Sequence, residues 1–479
     1  MEQRSLFQNL SPLDHRYYLS NRDLFDRLGS YLSEDAAVKY AVRCEAALLK
    51  AHLELRFPEQ QRPELQASID ALEFLVTSQA VYEEEEKTQH NIRALVNVIK
   101  RHLPPALVPF VHLGATSVDM LDTANALKIR DAVRLVLVPL LAELETALAK
   151  LARQESLTPQ IGRTHGQHAV PITVGFALAE YVSRLGKSIL EIQRLSGELR
   201  GKFAGAVGAY NATSVMTTDP QALERLVLGY LGLEPSEHST QLVEPEYLLR
   251  LLLEINVAFG VIANLADDLR NLQRSEIGEF RELFTATQVG SSTMPQKRNP
   301  WNSEHVKSLW KAFAPRAMTF FLDQISEHQR DLTNSASGRF VTDYLAGFVA
   351  AVARMKKVVT TLSVDKASLE RNLRVGAGDL VLAESVYILL SLAGEPEGHE
   401  VVRVLTLECE AQKKTLLDAL KARPAVWATI QTQLKATTGW DAEHFFSHPD
   451  LYHGQAPQKA VALADKYESL MKPFLEVRA

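Results

Sequence analysis

The sequence predicts an all-α protein whose centre is a bundle of long helices. Three segments, at residues 137–151, 178–199 and 248–269, carry apolar residues at alternating spacings of three and four, the pattern of helices that pack along a narrow seam. No polar–apolar alternation of comparable length indicates a β-strand. Long helices of this kind bury their seams only by packing on other helices. We therefore predict a long central helical bundle flanked by two smaller helical domains.

The remaining elements are shorter. Helical periodicity covers residues 35–56 and 69–101, and paired prolines follow each segment. Pro139 is expected to kink the first bundle helix or to start it afresh. The acidic run Glu83–Glu86 points in several directions around a helix, so we expect a solvated face without function.

Three domains are predicted from these patterns. They are an N-terminal helical domain at residues 1–110, the long-helix bundle at 111–362 and a C-terminal helical domain at 363–479. The last boundary is placed where helices shorten and glycines and prolines punctuate the chain.

Composition narrows the class of protein. A net charge of −6 gives no basic stripe for nucleic acid. The two cysteines indicate a reducing compartment without a disulfide framework. The first ten residues have no signal-peptide core, and the most apolar segment carries Arg250 and Glu254, so no membrane span is expected. We expect a soluble cytoplasmic protein.

The segment Gly290–Pro300, with the sequence GSSTMPQKRNP, stands out between long helical patterns. Its glycine and prolines predict a loop. It carries paired serines, a lysine and an asparagine amide. Such a loop suits chemistry that closes over a small anionic substrate.

A second cluster is Arg163–Gln167, predicted at the entrance to the second long helix. His165 can act as an acid or a base near neutral pH, although a single histidine at a helix start is more often structural. His165 and His168 lie three residues apart, but no third ligand completes a metal pattern. We predict no catalytic metal and no cofactor.

Three further clusters carry polar chemistry. Gly114–Asp119 offers the hydroxyls of Thr116 and Ser117, or else an ordinary helix N-cap. His90 is predicted on a helix whose apolar face holds Leu95, Val98 and Ile99. The segment Gln329–Ser335, with Arg339, suits phosphate or carboxylate recognition, since arginine presents a planar donor fork.

Together these motifs resemble a known family. Gly290–Pro300 resembles the fumarase/aspartase signature G-S-S-x-M-P-x-K-x-N-P, and the other clusters are similar, in order, to the adenylosuccinate lyase family. The motifs that carry this resemblance are SPLDHRY at 11–17, TSVD at 116–119, RTHGQ at 163–167, GAVGAYN at 205–211, TQLVEP at 240–245, QRDLT at 329–333 and YHGQA at 452–456.

The resemblance implies a fumarase/aspartase-like fold and a β-elimination that releases fumarate from a succinylated amine. Ser291 is then the base, acting as an alkoxide whose pKa nearby cations and N–H donors must lower. Lys297 and Asn299 hold the carboxylate on which charge develops. His165 is the general acid that protonates the leaving amine.

The substrate site follows in the same way. Arg16 and Tyr17 are implied to hold the nucleotide phosphate. Asn91 stands where the family usually has aspartate, which removes a negative charge beside His90. The other residues implied to line the pocket are His90, Asn91, Thr116, Ser117, Thr164, Gln241, Ser292, Met294, Arg330, Ser335 and Arg339.

The implied substrates are adenylosuccinate and the succinylated aminoimidazole carboxamide ribonucleotide of purine synthesis. A different fumarate-releasing lyase, such as an argininosuccinate lyase, and a helical scaffold without catalysis are the alternatives. The resemblance also implies a homotetramer whose active sites are shared between subunits. No nucleic acid or membrane partner is expected.

Overall fold

The computed structural model describes residues 4–284 and 293–476, and helices dominate both ranges. The all-α prediction is confirmed. The helices are α1 Arg16–Ser20, α2 Arg22–Leu32, α3 Glu34–Arg56, α4 Arg62–Asp70, α5 Leu72–Leu75, α6 Ser78–Thr88, α7 Asn91–Arg101, α8 Ser117–Ala132, α9 Val138–Gln154, α10 Val174–Ser196, α11 Asn211–Ser214, α12 Pro220–Leu231, α13 Glu246–Leu272, α14 Trp301–Phe313, α15 Arg316–Leu322, α16 Ser335–Arg339, α17 Val341–Thr361, α18 Lys366–Arg371, α19 Ala383–Leu392, α20 Gly398–Gln412, α21 Leu416–Lys421, α22 Pro424–Thr438, α23 Ala442–Ser447 and α24 Ala456–Leu475.

The three predicted seams lie in long helices of the main core. Helices α9, α10 and α13 bury most of the apolar positions that defined the seams, and α14 and α17 complete the bundle around them. A π-helical segment at Val133–Leu137 joins α8 to α9, and Pro139 is the second residue of α9. Helical backbone continues through this segment, so Pro139 lies where π-helical hydrogen bonding changes to α-helical, and a fresh start of the helix is not seen.

The predicted continuous helix over residues 69–101 is wrong. Extended backbone at Val76 and Thr77 separates α5 from α6, and left-handed backbone at Gln89 (φ 52°) ends α6. The acidic run also differs from the prediction. Glu84 is buried and accepts hydrogen bonds from Asn97 and Arg101 of α7, so it joins the two helices.

Small sheets were missed by the sequence analysis, because their strands are short. The antiparallel pair of β1 and β2 is a hairpin directly before α10. The strands are β1 Pro159–Thr164, β2 Gln167–Thr173, β3 Arg200–Gly201, β4 Glu234–Pro235, β5 Phe280–Arg281 and β6 Ser363–Val364; β3 pairs with β4 in parallel, and β5 with β6 antiparallel.

The described residues form two hydrophobic cores. The larger core extends from Leu13 to Leu369 and includes three buried residues of α24, which packs on α9 and α10. The smaller core lies within residues 382–446. The domain boundaries at residues 110 and 362 stay a prediction.

Helix α13 is long and apolar enough, by length and composition, to cross a membrane. More than half of its most apolar stretch is buried inside the protein, as in the core helix of a bundle. Tyr344 of α17 donates a hydrogen bond to the Leu252 carbonyl of α13 at 3.3 Å. These contacts describe α13 as a helix of the bundle core.

Candidate active site

His165 was predicted at the entrance to a helix, but it lies at the tip of the β1–β2 hairpin. His165 and Gly166 both have left-handed backbone, with φ of 56° and 73°, which is typical of a two-residue type I′ hairpin turn. Thr164 ends β1, and both Thr164 and His165 are exposed. The imidazole is therefore presented to solvent on a short, hydrogen-bonded support.

A buried carboxylate holds the base of this hairpin. Glu279 is fully buried and accepts two hydrogen bonds from Arg163, at 2.5 and 3.1 Å. The amides of Gln160 and Asn372 donate to the same carboxylate at 2.7 and 2.8 Å. A buried charge is tolerated when it is paired and its remaining lone pairs are satisfied. Arg163 thus serves the hairpin support.

Ser291 and Ser292, the predicted base and its neighbour, lie outside the described residues, as does Gly290. The segment that follows them is described from Thr293 onward. Lys297 and Met294 are exposed there, and the Lys297 amide donates to the Met294 carbonyl at 3.0 Å. Asn299 lies at the end of this segment, two residues before α14.

Glu282 fixes the exit of the signature segment. One carboxylate oxygen accepts from the amide and hydroxyl of Ser303, at 2.8 and 2.6 Å. The other accepts from the side-chain amide of Asn302 at 2.8 Å. A carboxylate at the start of α14 also interacts favourably with the helix dipole. Gln273 ties the segment to the end of α13 by donating to the Arg298 carbonyl at 3.3 Å.

The predicted phosphate residues lie beside the first turns of α14. The Tyr17 hydroxyl is 2.8 Å from Nε2 of His305. Burial lowers the pKa of His305, and the charges of Arg354 and Arg16 lower it further. Arg354 lies 4.9 Å from the centre of the Trp301 ring. The sequence analysis missed His305 and Arg354, whose proximity to Tyr17 depends on folding.

A second group of predicted residues surrounds the start of α8. Thr116 is the N-cap of α8, and its backbone amide donates to Asp119 at 2.8 Å. The other oxygen of Asp119 lies 2.5 Å from Nζ of Lys202, and both side chains are fully buried. Lys202 also donates to the Gly205 carbonyl at 3.1 Å. One buried ion pair therefore fixes the Thr116–Ser117 turn and the start of the loop at 205–211.

Neighbouring loops join the same group. Asp122 accepts from the Val243 amide at 2.9 Å, and burial raises the pKa of Asp122 to about 6. The Gln241 amide donates to the Gln329 carbonyl at 3.3 Å. Gly208 must be glycine, because a Cβ there would lie 1.9 Å from a backbone oxygen of the 236–245 loop.

His112 is a candidate site residue that the sequence analysis missed. Its Nδ1 lies 2.6 Å from the fully buried carboxylate of Glu45, and its side chain is partly exposed. His112 has left-handed backbone (φ 60°) and precedes Thr116 by four residues. A carboxylate that holds one ring nitrogen orients the imidazole. The available signal was the position of His112 two residues before the Gly114–Asp119 cluster.

The other predicted residues lie at three places. His90 is the N-cap of α7 and not a residue within it, and its Nδ1 accepts from the Arg93 amide at 3.2 Å. Asn91 is the first residue of α7 and is exposed. Arg330 has φ 75° and donates to the Gln324 carbonyl at 2.7 Å. Ser335 and Arg339 begin and end α16.

Several of the predicted residues lie near opposite ends of two long helices. The hairpin of His165 precedes α10, and Lys202 follows it; the 23 residues of α10 span about 33 Å at 1.5 Å per residue. Gln241 precedes α13, and the segment of Lys297 follows it; the 27 residues of α13 span about 40 Å. Within the described part of the chain, the lengths of these two helices therefore keep the residues at their opposite ends apart.

Comparison with known proteins identifies the class to which this fold and site belong. A family model described as a lyase matches residues 24–311, and one described as adenylosuccinate lyase C-terminal matches residues 326–441. The bundle with its hairpin and signature segment is thus that of a lyase.

Curated relatives narrow the class. Adenylosuccinate lyase of Pyrococcus horikoshii is 33% identical over 86% of this chain and 89% of its own length. That of Archaeoglobus fulgidus is 32% identical over 85% and 89%, and that of Methanocaldococcus jannaschii 29% identical over 93% and 94%. The chain belongs to the adenylosuccinate lyase family of the fumarase/aspartase superfamily. The resemblance and the enzyme class, a carbon–nitrogen lyase, are confirmed.

Solved structures support the fold alone. The 3-carboxy-cis,cis-muconate lactonizing enzyme from Pseudomonas putida has a TM-score of 0.77 and 24% identity, covering 93% of this chain and 97% of that one. A fumarate lyase from Mesorhizobium sp. BNC1 has a TM-score of 0.77 and 22% identity, covering 92% and 97%. The fumarase/aspartase-like fold is therefore confirmed, while the roles of individual residues stay predictions.

Proposed function

We propose that the protein cleaves adenylosuccinate to AMP and fumarate, and cleaves the succinylated aminoimidazole carboxamide ribonucleotide in the same way. The observation that carries this proposal is the match to adenylosuccinate lyases across both the central and the C-terminal regions. An argininosuccinate lyase or a scaffold without catalysis is not favoured, since the C-terminal region also matches the adenylosuccinate lyase model. We also propose that the enzyme works in the cytoplasm.

The reaction divides between residues on different supports. Ser291 takes a proton from the carbon next to a carboxylate, and the electron pair passes into that carboxylate. Lys297 and Asn299 stabilise the charge that develops there, which accelerates the step more than binding the ground state would. The carbon–nitrogen bond then breaks, the double bond of fumarate forms, and His165 gives its proton to the leaving nitrogen.

The exposure of His165 supports its role as the acid. A general acid must reach the leaving nitrogen at hydrogen-bond distance. The hairpin presents the imidazole outward, while Glu279 holds the strands behind it. Because the support is buried and the tip is exposed, His165 can enter a site that lies outside its own chain.

We propose that active sites are shared between subunits of a homotetramer. The separation of about 33 Å along α10 between the His165 hairpin and the Thr116–Ser117 turn supports this, because no single substrate spans that distance. Rod-shaped bundles have much surface for their volume, and association buries it. A complete site would then combine the hairpin of one chain with the turn of another.

The substrate and the base are tested by following the ultraviolet absorbance of adenylosuccinate with wild-type and Ser291→Ala proteins. Turnover that Ser291→Ala abolishes supports both. Turnover that survives in Ser291→Ala would leave the function intact and exclude Ser291 as the base. Ser447→Ala, in α23 and away from both groups, is the matched control and should retain activity.

Subunit sharing is tested by mixing two inactive variants. Ser291→Ala and His165→Ala proteins should regain part of the activity after their subunits are exchanged, since some sites then carry both intact residues. Each variant alone, taken through the same exchange, is the control. If exchange is demonstrated and activity stays absent, Ser291 and His165 of one site come from the same chain.

A further inference from the structure

The hydrogen bond between Tyr17 and His305 lies at the predicted phosphate site and has no assigned role. The Tyr17 hydroxyl and Nε2 of His305 are 2.8 Å apart, although the residues are 288 positions apart in sequence. Both side chains are partly buried. Such a contact fixes where the hydroxyl of Tyr17 can direct its own proton.

The surroundings of this pair are electropositive. The charges of Arg16 and Arg354 both act on His305. Arg354 donates to the side-chain oxygen of Asn302 at 2.9 Å and stacks on Trp301. The nearby carboxylate of Glu282 is engaged by the start of α14. This charge distribution suits an anion next to Tyr17.

The chemistry of the pair sets the direction of its hydrogen bond once an anion is present. A phosphate oxygen only accepts hydrogen bonds, so Tyr17 must donate its proton to it. The hydroxyl oxygen of Tyr17 is then left as an acceptor, and Nε2 of His305 must be the donor. With Nε2 of His305 as the donor, the Tyr17 hydroxyl therefore donates its own proton to the phosphate.

We propose that His305 is a positioning residue for recognition of the substrate phosphate, and that it acts through the Tyr17 hydroxyl. This inference rests on the proposed function, because it takes the anion to be the phosphate of the nucleotide. Ser291 and His165, and not His305, are the residues proposed to act on the reacting carbon and nitrogen. Loss of His305 therefore weakens substrate binding and leaves the chemical step unchanged.

The test compares adenylosuccinate with the corresponding nucleoside, which lacks the phosphate. His305→Leu and Tyr17→Phe should each raise KM for adenylosuccinate about tenfold, the size expected for one hydrogen bond to a charged group, with kcat unchanged. The double variant should be no worse than either single variant, because the two residues act as one unit. Activity on the nucleoside should be equal in all of these proteins.

Two further variants distinguish positioning from folding. His305→Gln keeps an N–H donor near the position of Nε2 and should restore KM to within a few-fold of wild type. His448→Leu removes an imidazole in the C-terminal region, whose Nδ1 lies 2.8 Å from the His444 carbonyl, and should leave KM unchanged. Binding of AMP and of adenosine, measured by calorimetry, repeats the comparison without turnover.

Several outcomes would overturn the inference. Multiplying effects of Tyr17→Phe and His305→Leu, or equal losses with the nucleoside, would show that His305 does not act through Tyr17 on the phosphate. An unchanged KM in His305→Leu would do the same. A wild-type protein that neither cleaves adenylosuccinate nor binds AMP would instead exclude the proposed function, and the inference with it.

Discussion

Two fully buried glutamates, Glu279 and Glu145, show how differently one residue type is used in this fold. Glu279 lies behind the His165 hairpin and accepts hydrogen bonds from an arginine and two amides. Glu145 lies in α9, and neither of its oxygens has a hydrogen-bond partner among the described residues. Burial raises the pKa of Glu145 well above its usual range. The first carboxylate accepts four side-chain hydrogen bonds, whereas burial of the second favours its neutral form.

The difference between the two glutamates indicates that buried polar contacts are concentrated behind the candidate site. Around Glu279 the side-chain partners come from two distant parts of the chain, β1 and Asn372, so one carboxylate fixes the hairpin relative to β5 and the C-terminal region. Around Glu145 the close packing of α9 on α10 decides the environment: a Cβ at Gly186 would lie 2.9 Å from a Glu145 oxygen. Buried charge supports the site, and close packing supports the bundle.

The largest expected effect comes from removing the charge behind the hairpin. Glu279→Ala leaves Arg163 and two amides without their acceptor, and breaking a buried pair costs about 3–5 kcal/mol. We expect a loss of unfolding free energy of that order in urea, together with loss of activity. Glu279→Gln, which keeps an acceptor oxygen, should lose less. Equal stability of Glu279→Ala and wild type would contradict the comparison.

The second prediction extends the comparison to the buried ammonium of Lys202. Lys202→Met leaves Asp119 buried, but the amides of Thr116 and Gly205 still donate to it, at 2.8 and 3.3 Å. We therefore expect a loss of about 3 kcal/mol in unfolding free energy. Arg194→Met, which removes an exposed ion pair with Glu191, is the control and should change little. If both variants lose the same amount, burial is not the source of the effect.

The smallest change in stability is expected on substituting Glu145, and it should be a gain and not a loss. Its pKa is raised in the folded protein, so the folded state binds the proton more tightly than the unfolded state. The stability from this site is complete below the unfolded pKa, about 4.3, and is lost as pH rises above it. Glu145→Gln should therefore raise the Tm at pH 8 more than at pH 5, at equal protein concentration. A larger gain at pH 5 would show that Glu145 is ionised in the fold.

The sequence predicted the bundle because its information is local. The apolar repeats of the seams lie within single helices, α9, α10 and α13, and Pro139 is itself the residue that marks the first turn of α9. The hairpin of His165 was missed because β1 and β2 have six and seven residues and the turn uses a histidine at positive φ. A continuous helix over residues 69–101 was predicted because Val76 and Thr77, where the backbone is extended, are neither glycine nor proline and so do not mark the end of a helix in the sequence.

The sequence motifs of the candidate site could be recognised, but the arrangement of their residues in space could not be predicted. The motif residues could be recognised one by one, whereas their supports lie far away along the chain. Glu279 is 116 positions from Arg163, Lys202 is 83 from Asp119, and His305 is 288 from Tyr17. No local pattern records such pairs. His112 lies only four positions before Thr116 in the sequence, but its buried partner Glu45 lies 67 positions before His112.

The lengths of α10 and α13 have a consequence for how this chain can change. Each helix sets the distance between the candidate site residues near its two ends, and the two helices pack against each other in one bundle. Inserting or deleting one residue in α10 would rotate everything beyond it by about 100° and shift it by about 1.5 Å. Loops elsewhere can vary in length, but the length of these helices can change only if the neighbouring helices of the bundle change with it.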